Sequence, residues 1–148
     1  MLFIASDHAG FKLKESIKEF LNSKKIVFTD LGTDSEESVD YPDYAASLGK
    51  KIAASKGKDE GILICGTGIG MCITANKIKG VYAALAFNEF TAKSAREHNI
   101  VNVLCLGART TPSDLALKIV GIWATTPRGS EERHLRRFDK IRQLEKEQ

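Results

Sequence analysis

The chain has 148 residues, 43% hydrophobic and 28% charged, with a formal net charge of only +3. That length suits one domain with a real core, and the balance excludes wholesale disorder and the one-sided charge of a nucleic-acid binder. No run approaches the roughly 18 apolar residues of a membrane span, and the apolar start Leu2-Phe3-Ile4-Ala5 is too short, and too poorly flanked by charge, for a signal peptide.

Strand and helix signals then alternate. Residues 2–6 read as a strand, followed by the loop Asp7-His8-Ala9-Gly10. Over 11–24, Phe11, Ile17, Phe20 and Leu21 recur near helical spacing with charges between them. Residues 26–31 form a second strand closed by Gly32-Thr33, and an acidic loop runs over 34–41. Pro42 opens a helix to about residue 55, as a first-turn proline should. The apolar run 61–65 is a third, buried strand ending in Cys65, and a helix over 71–78 follows it. Residues 81–87 and 101–106 read as strands around a helix at 89–98. Pro112 begins a helix to about 124, the run 126–129 breaks it, and a charged helix spans 131–146.

This alternation predicts one domain over 1–148, a three-layer α/β/α Rossmann-like sandwich around a five-stranded parallel sheet with a C-terminal helix. The last helix is polar except for a stripe at spacings of three, Leu135, Phe138, Ile141 and Leu144. So narrow a stripe suits docking on the body or on a second subunit. The three cysteines, Cys65, Cys72 and Cys105, are odd in number and form no Cys-x-x-Cys pair, as expected of reduced thiols in a cytoplasm.

Cys65-Gly66-Thr67-Gly68-Ile69-Gly70 is the most informative segment. It places a thiol at the C-terminal tip of a central strand, the edge where open parallel sheets bind ligands. The glycine loop and the helix start beside it welcome an anion or a developing oxyanion, and a helix N-terminus aimed at a thiol favours the thiolate. A dinucleotide fingerprint needs Gly-x-Gly-x-x-Gly, whereas position 71 is Met and the loop follows the third strand. Cys72 and Cys105 read as packing residues. Asp7 and His8 lie on the same sheet edge as Cys65; the plain reading is a capping aspartate and a solvated histidine, the functional one a proton-handling carboxylate beside an anion contact. His98-Asn99 ends a helix and precedes a strand, which puts it at the opposite edge. Either it only caps that helix, or a second subunit delivers it to the Cys65 pocket. Arg133 and Arg137 share a helix face; they form a solvated basic face or a phosphate clamp, which Arg109, just past the fifth strand, could join.

Together these residues resemble the ribose-5-phosphate isomerase B family, which also contains allose- and galactose-6-phosphate isomerases. The carrying motifs are Ser6-Asp7-His8-Ala9-Gly10-Phe11, Asp40-Tyr41-Pro42-Asp43-Tyr44, the loop from Cys65 with Ala75-Asn76-Lys77, Glu97-His98-Asn99, and Arg133-His134-x-x-Arg137. The resemblance implies a cofactor-free, metal-free aldose–ketose isomerase acting on D-ribose 5-phosphate and D-ribulose 5-phosphate. It makes Cys65 the base that moves a proton between C2 and C1 through a cis-enediolate, with Thr67 relaying a hydroxyl proton. The amides of Gly66, Gly68, Ile69 and Gly70 would hold the enediolate oxygens. His98 would open the furanose ring with help from Asp7, and Asn99 would bind a hydroxyl. His8, Arg109, Arg133 and Arg137 match phosphate and substrate positions, and Tyr41 a pocket wall. It also implies a homodimer with shared active sites, while association of two such dimers into a tetramer stays open; the modest charge and the lack of a long apolar run argue against a nucleic-acid or membrane partner.

Three positions depart from the family pattern. Glu131-Glu132 replaces a frequent Gly-Gly before the Arg-His pair, Ile100-Val101-Asn102 replaces a common Asp-Ala-Asn, and Met71 stands where a second subgroup carries a glutamate base. Cys65 with Met71 places the chain in the cysteine subgroup. The alternatives are a hexose 6-phosphate isomerase on the same scaffold and a non-catalytic sugar-phosphate or nucleotide sensor.

Overall fold

The alternation along the chain becomes an alternation of layers in the computed structural model, which describes residues 1–147. In order the elements are β1 (Leu2–Ser6), α1 (Phe11–Ser23), β2 (Phe28–Asp30), α2 (Tyr41–Ala54), β3 (Glu60–Cys65), α3 (Ile69–Asn76), β4 (Ala83–Leu85), α4 (Glu89–Glu97), β5 (Val103–Gly107), α5 (Ser113–Thr125) and α6 (Glu132–Lys146). The strands form one parallel sheet in the order β2-β1-β3-β5-β4, giving the expected α/β sandwich.

Successive residues of a strand face opposite sides of the sheet. Leu2 and Ile4, Ile62 and Ile64, and Leu104 and Leu106 therefore share one face. They pack there against Leu13, Ile17 and Leu21 of α1, Ala92 of α4, and Ile119, Val120 and Trp123 of α5. Ala5, Leu63, Cys65, Val103 and Cys105 face the other way, against Leu48 and Ile52 of α2 and Met71 and Ala75 of α3. Both faces are covered, which is why the central strands read as unbroken apolar runs. Each fully buried aliphatic side chain contributes about 1.5–3 kcal/mol.

β2 and β4 are shorter than the sequence suggests because both are edge strands and their flanking amides are used elsewhere. Ile26 N–H donates to Leu21 at the end of α1, and Val81 N–H to Ile78. Phe87 N–H donates to Thr91 Oγ1 in the capping box of α4. α3 starts two residues earlier than expected, after Gly68, whose φ of +77° is the left-handed conformation that glycine adopts without strain.

From β1 the chain turns to β2 on one side, then to β3 on the other. That reversal opens a crevice at the C-terminal ends of β1 and β3, the usual ligand position in such sheets. Asp7 N–H donates to Ile64 C=O at 3.3 Å across it. α6 lies at the opposite, N-terminal edge. Phe138 meets Tyr82 edge to face with centroids 4.6 Å apart, and Glu145 accepts from Gly80 N–H and Tyr82 O–H. That phenol, partly buried and facing the Glu145 carboxylate, is pushed up to about 12. Leu135, Ile141 and Leu144 of the predicted stripe remain exposed.

Candidate active site

At the β1–β3 crevice Cys65 is buried, with its sulfur toward α2 and α3. Gly68 N–H donates to Cys65 Sγ at 3.2 Å, so the amide of the loop's middle glycine presents its positive end to the sulfur. Ile69 N–H donates to Thr67 Oγ1 at 3.4 Å, and the Thr67 side chain stands exposed at the pocket mouth. A Cβ on Gly70 would lie 2.6 Å from the Tyr41 ring, so the hydroxyl end of that ring packs closely on the start of α3. Gly66 is similarly covered by the Arg109 guanidinium, and its carbonyl accepts from Arg109 N–H at 2.8 Å.

Asp7 is 5% exposed and accepts from Gly10 N–H through Oδ1 at 3.0 Å. It fastens the turn into α1 and leaves Oδ2 for other work. His8 Nδ1 lies 3.2 Å from both the amide and the carbonyl of Val39. Whichever tautomer is present, that contact pins the ring and directs Nε2 away from Val39. The thiol, the carboxylate, the imidazole, the tyrosine ring and Arg109 thus gather around one loop.

His98, Asn99, Arg133 and Arg137 are not with them. His98 caps the C-terminal end of α4 and stacks on His134, with centroids 4.4 Å apart and rings 18° from parallel. A cleft of 270 Å³ is lined by His98, Asn99, His134, Arg137, Phe138 and Ile141. β3 and β5 are paired from Gly61↔Val103 to Cys65↔Gly107. Four strand rises of about 3.3 Å separate the two edges by about 13 Å, and His98 lies further back still. The sequence expectation that Arg109 joins Arg133 and Arg137 therefore fails within one chain, because β5 carries Arg109 to the far edge.

Arg133 is held by Glu131, Nε to Oε2 at 2.9 Å, so Glu131 already occupies one of the candidate phosphate ligands. Burial lowers the His134 imidazole below the ordinary histidine value. His98, Arg133 and Arg137 add to that shift, against the opposing pull of Glu131. The His134 ring is a residue that sequence reasoning left without a role. Its signal was the Arg-His-x-x-Arg spacing, which puts it within a turn of Arg137 on α6. Cys72 also departs from plain packing. It is half-buried, and Cys105, the Leu85 backbone and Asn76 bring its thiol down to about 7 despite that burial. Among the described residues no three His, Cys, Asp or Glu side chains converge as a metal site would require, and no helix is long and apolar enough to cross a membrane.

The fold and the crevice define a parallel α/β protein that sets a thiol against a glycine loop at the sheet's switch point, an arrangement made for an anionic intermediate. Residues 2–141 match the family described as Ribose/Galactose Isomerase. A putative sugar phosphate isomerase of Bacillus subtilis is 47% identical over 143 residues, covering 96% of this chain and 95% of the relative. The crystal structure of ribose-5-phosphate isomerase B from Mycoplasma genitalium with bound ribulose-5-phosphate superposes with a TM-score of 0.94. It shares 46% identity over 99% of this chain and 97% of that one. The Clostridium thermocellum ribose-5-phosphate isomerase B structure gives 0.93 at 41% identity, over 99% and 97%. The chain belongs to the Ribose/Galactose Isomerase family.

Proposed function

We propose that this chain is the isomerase that interconverts D-ribose 5-phosphate and D-ribulose 5-phosphate, in the cytoplasm, as a step of the non-oxidative pentose phosphate pathway. The observation that carries the reading is the Cys65 sulfur receiving an amide N–H of the glycine loop at the crevice mouth. A thiolate is a modest base toward a carbon acid, so the negative charge of the enediolate must be met where it appears.

In the proposed reaction His98, assisted by Asp7, opens the furanose ring. Cys65 takes the C2 proton of the open aldose and returns it to C1, while Thr67 relays the hydroxyl proton. Amides of Gly66, Gly68, Ile69 and Gly70 hold the enediolate oxygens, each such donor being worth about 3–4 kcal/mol in comparable sites. His8, Arg109, Arg133 and Arg137 hold the phosphate and its neighbours, Asn99 takes a hydroxyl, and Tyr41 walls the pocket. No cofactor enters these steps.

Since His98 and Cys65 lie at opposite edges of one sheet, the reaction requires a homodimer in which each site joins the Cys65 edge of one subunit to the His98 edge of the other. Apolar exposure supports this. Ile69, Phe87 and Phe90 stand exposed around the Cys65 edge, and Leu135, Ile141 and Leu144 on α6. Patches of this kind mark association surfaces. The whole chain is one domain in this reading.

Comparing kcat/KM on ribose 5-phosphate, allose 6-phosphate and galactose 6-phosphate tests the assignment. A clear preference for the pentose supports it, and a preference for either hexose moves the function to the hexose alternative. Substitution Cys65→Ala removes turnover and solvent-proton exchange at C1 and C2 while sugar-phosphate binding persists. Binding with no turnover of any sugar phosphate in the unaltered protein would leave a sensor.

A further inference from the structure

We infer that Arg96 is a positioning residue for ring opening, holding the His98–His134 pair in register through one buried guanidinium; this rests on the ring-opening role proposed for His98. His98 has no side-chain hydrogen bond among the described residues. Its placement comes from the end of α4 and from the His134 ring stacked on it. Both of those supports meet at Arg96.

Arg96 lies on the last turn of α4, two residues before His98, and is 5% exposed. Its Nη1 donates to Glu60 Oε1 at 2.6 Å, at the start of β3, and to Val101 C=O at 3.2 Å, just beyond His98. Its Nε donates to Thr126 C=O at 3.0 Å, at the end of α5. The guanidinium carbon sits 4.8 Å over the Trp123 ring. The Arg96 carbonyl accepts from Gly129 N–H at 3.0 Å, and Gly129 lies directly on the Glu97 carbonyl, leaving no room for a Cβ. One side chain and its own backbone thus tie the C-terminal turn of α4 to the connection that feeds α6. Glu131, the N-cap of α6, is two residues after Gly129, and His134 is only five after it.

The geometry suits a guanidinium and not an ammonium. Three acceptors and a ring face are met by a planar fork, whereas a lysine reaches one or two of them as a point charge. Losing the fork lets α4 and the α5–α6 connection slide relative to each other, and the two imidazoles ride on those separate segments. A displacement of about 1 Å at a catalytic group costs about a hundredfold in rate, so small shifts here are felt.

The test separates ring opening from proton transfer. D-ribulose 5-phosphate has its O5 esterified and no hydroxyl to close a five-membered ring on C2. Deuterium wash-in at its C1 from D2O therefore needs Cys65 but no ring opening, whereas conversion of ribose 5-phosphate needs both. In Arg96→Lys, conversion of ribose 5-phosphate is expected to fall about tenfold or more while wash-in changes less than about twofold. His98→Asn, measured alongside, shows the same split. The chain holds only three histidines, so NMR reads the placement directly. The His98 and His134 imidazole resonances move in Arg96→Lys and that of His8, at the far edge, does not.

Equal loss of both rates, loss of neither, or unmoved His98 and His134 resonances overturns the inference. If His98→Asn itself shows no split, the ring-opening reading of His98 fails instead. Moved resonances would then still establish Arg96 as the positioning residue, and unmoved ones would end that too. Should Arg96→Lys not fold, Glu60→Gln, which keeps the fork and weakens the carboxylate that Arg96 shares with Arg128, carries the same readouts with a smaller split.

Discussion

Gly68 connects the backbone of the loop to the proposed chemistry, and Gly68→Ala shows how much depends on it. Two costs are visible at this position. Its φ of +77° is left-handed, and an L side chain there costs about 1–2 kcal/mol. An added Cβ would also lie 2.5 Å from Leu85 Cδ1, 2.8 Å from the Leu106 carbonyl carbon and 3.0 Å from its oxygen. Leu85 can turn aside; the β5 backbone cannot, and overpacking of that kind costs about 1–3 kcal/mol more. Gly80 is the internal control, because its φ is +85° and a Cβ there meets nothing within 4 Å. In urea unfolding, Gly80→Ala should lose only the backbone part and Gly68→Ala about 2–5 kcal/mol in all. The strain at Gly68 is relieved by moving its amide, which meets Cys65 Sγ at rest and is proposed to hold an enediolate oxygen once that charge appears, so kcat on ribose 5-phosphate should fall about 10²–10³-fold while Gly80→Ala keeps its rate. Equal stability losses for the two variants, or an undiminished kcat in Gly68→Ala, would refute the reasoning.

Two further outcomes are expected. Glu131→Gln frees Arg133 for the substrate; since both side chains are about two-thirds exposed, the gain is modest, KM falling by up to about fivefold with kcat unchanged, and a raised KM would count against Arg133 as a phosphate ligand. The buried His134, with its folded-state value below the unfolded one of about 6.5, adds stability above that pH which is lost as pH falls through the folded value. The urea midpoint of the unaltered protein should therefore drop more steeply below about pH 6.5 than that of His134→Asn, and parallel pH profiles would contradict this.

Much of the site could be read from residue order. The run ending at Cys65 is apolar enough to be a central strand, and the alternation of strands and helices was sufficient to put Asp7 and His8 beside it and His98 opposite. Pairing between strands is non-local, so neither the order β2-β1-β3-β5-β4 nor the shortness of its edge strands was legible. The positions of Ile26 and Val81 show why: each is apolar and strand-like locally, yet the Ile26 amide answers to the preceding helix and the Val81 amide to the turn that follows α3. The His98–His134 stack depends on how α6 docks, and periodicity reports a face without its contact angle. Arg96 reads from the sequence as one more charge on a polar helix, and only the meeting of β3, α4 and α5 makes it a buried tie.

Mixed dimers test most directly whether each active site is assembled from two chains. Cys65→Ala and His98→Ala chains, each inactive alone, are co-expressed and the heterodimers purified with distinct tags. In a two-fold symmetric dimer one of the two sites then carries both intact halves, so the heterodimer should recover about half of the unaltered activity on ribose 5-phosphate. Verified heterodimers with no activity would contradict the shared site, and with it the proposed joining of the Cys65 loop to the His98 edge of a second subunit.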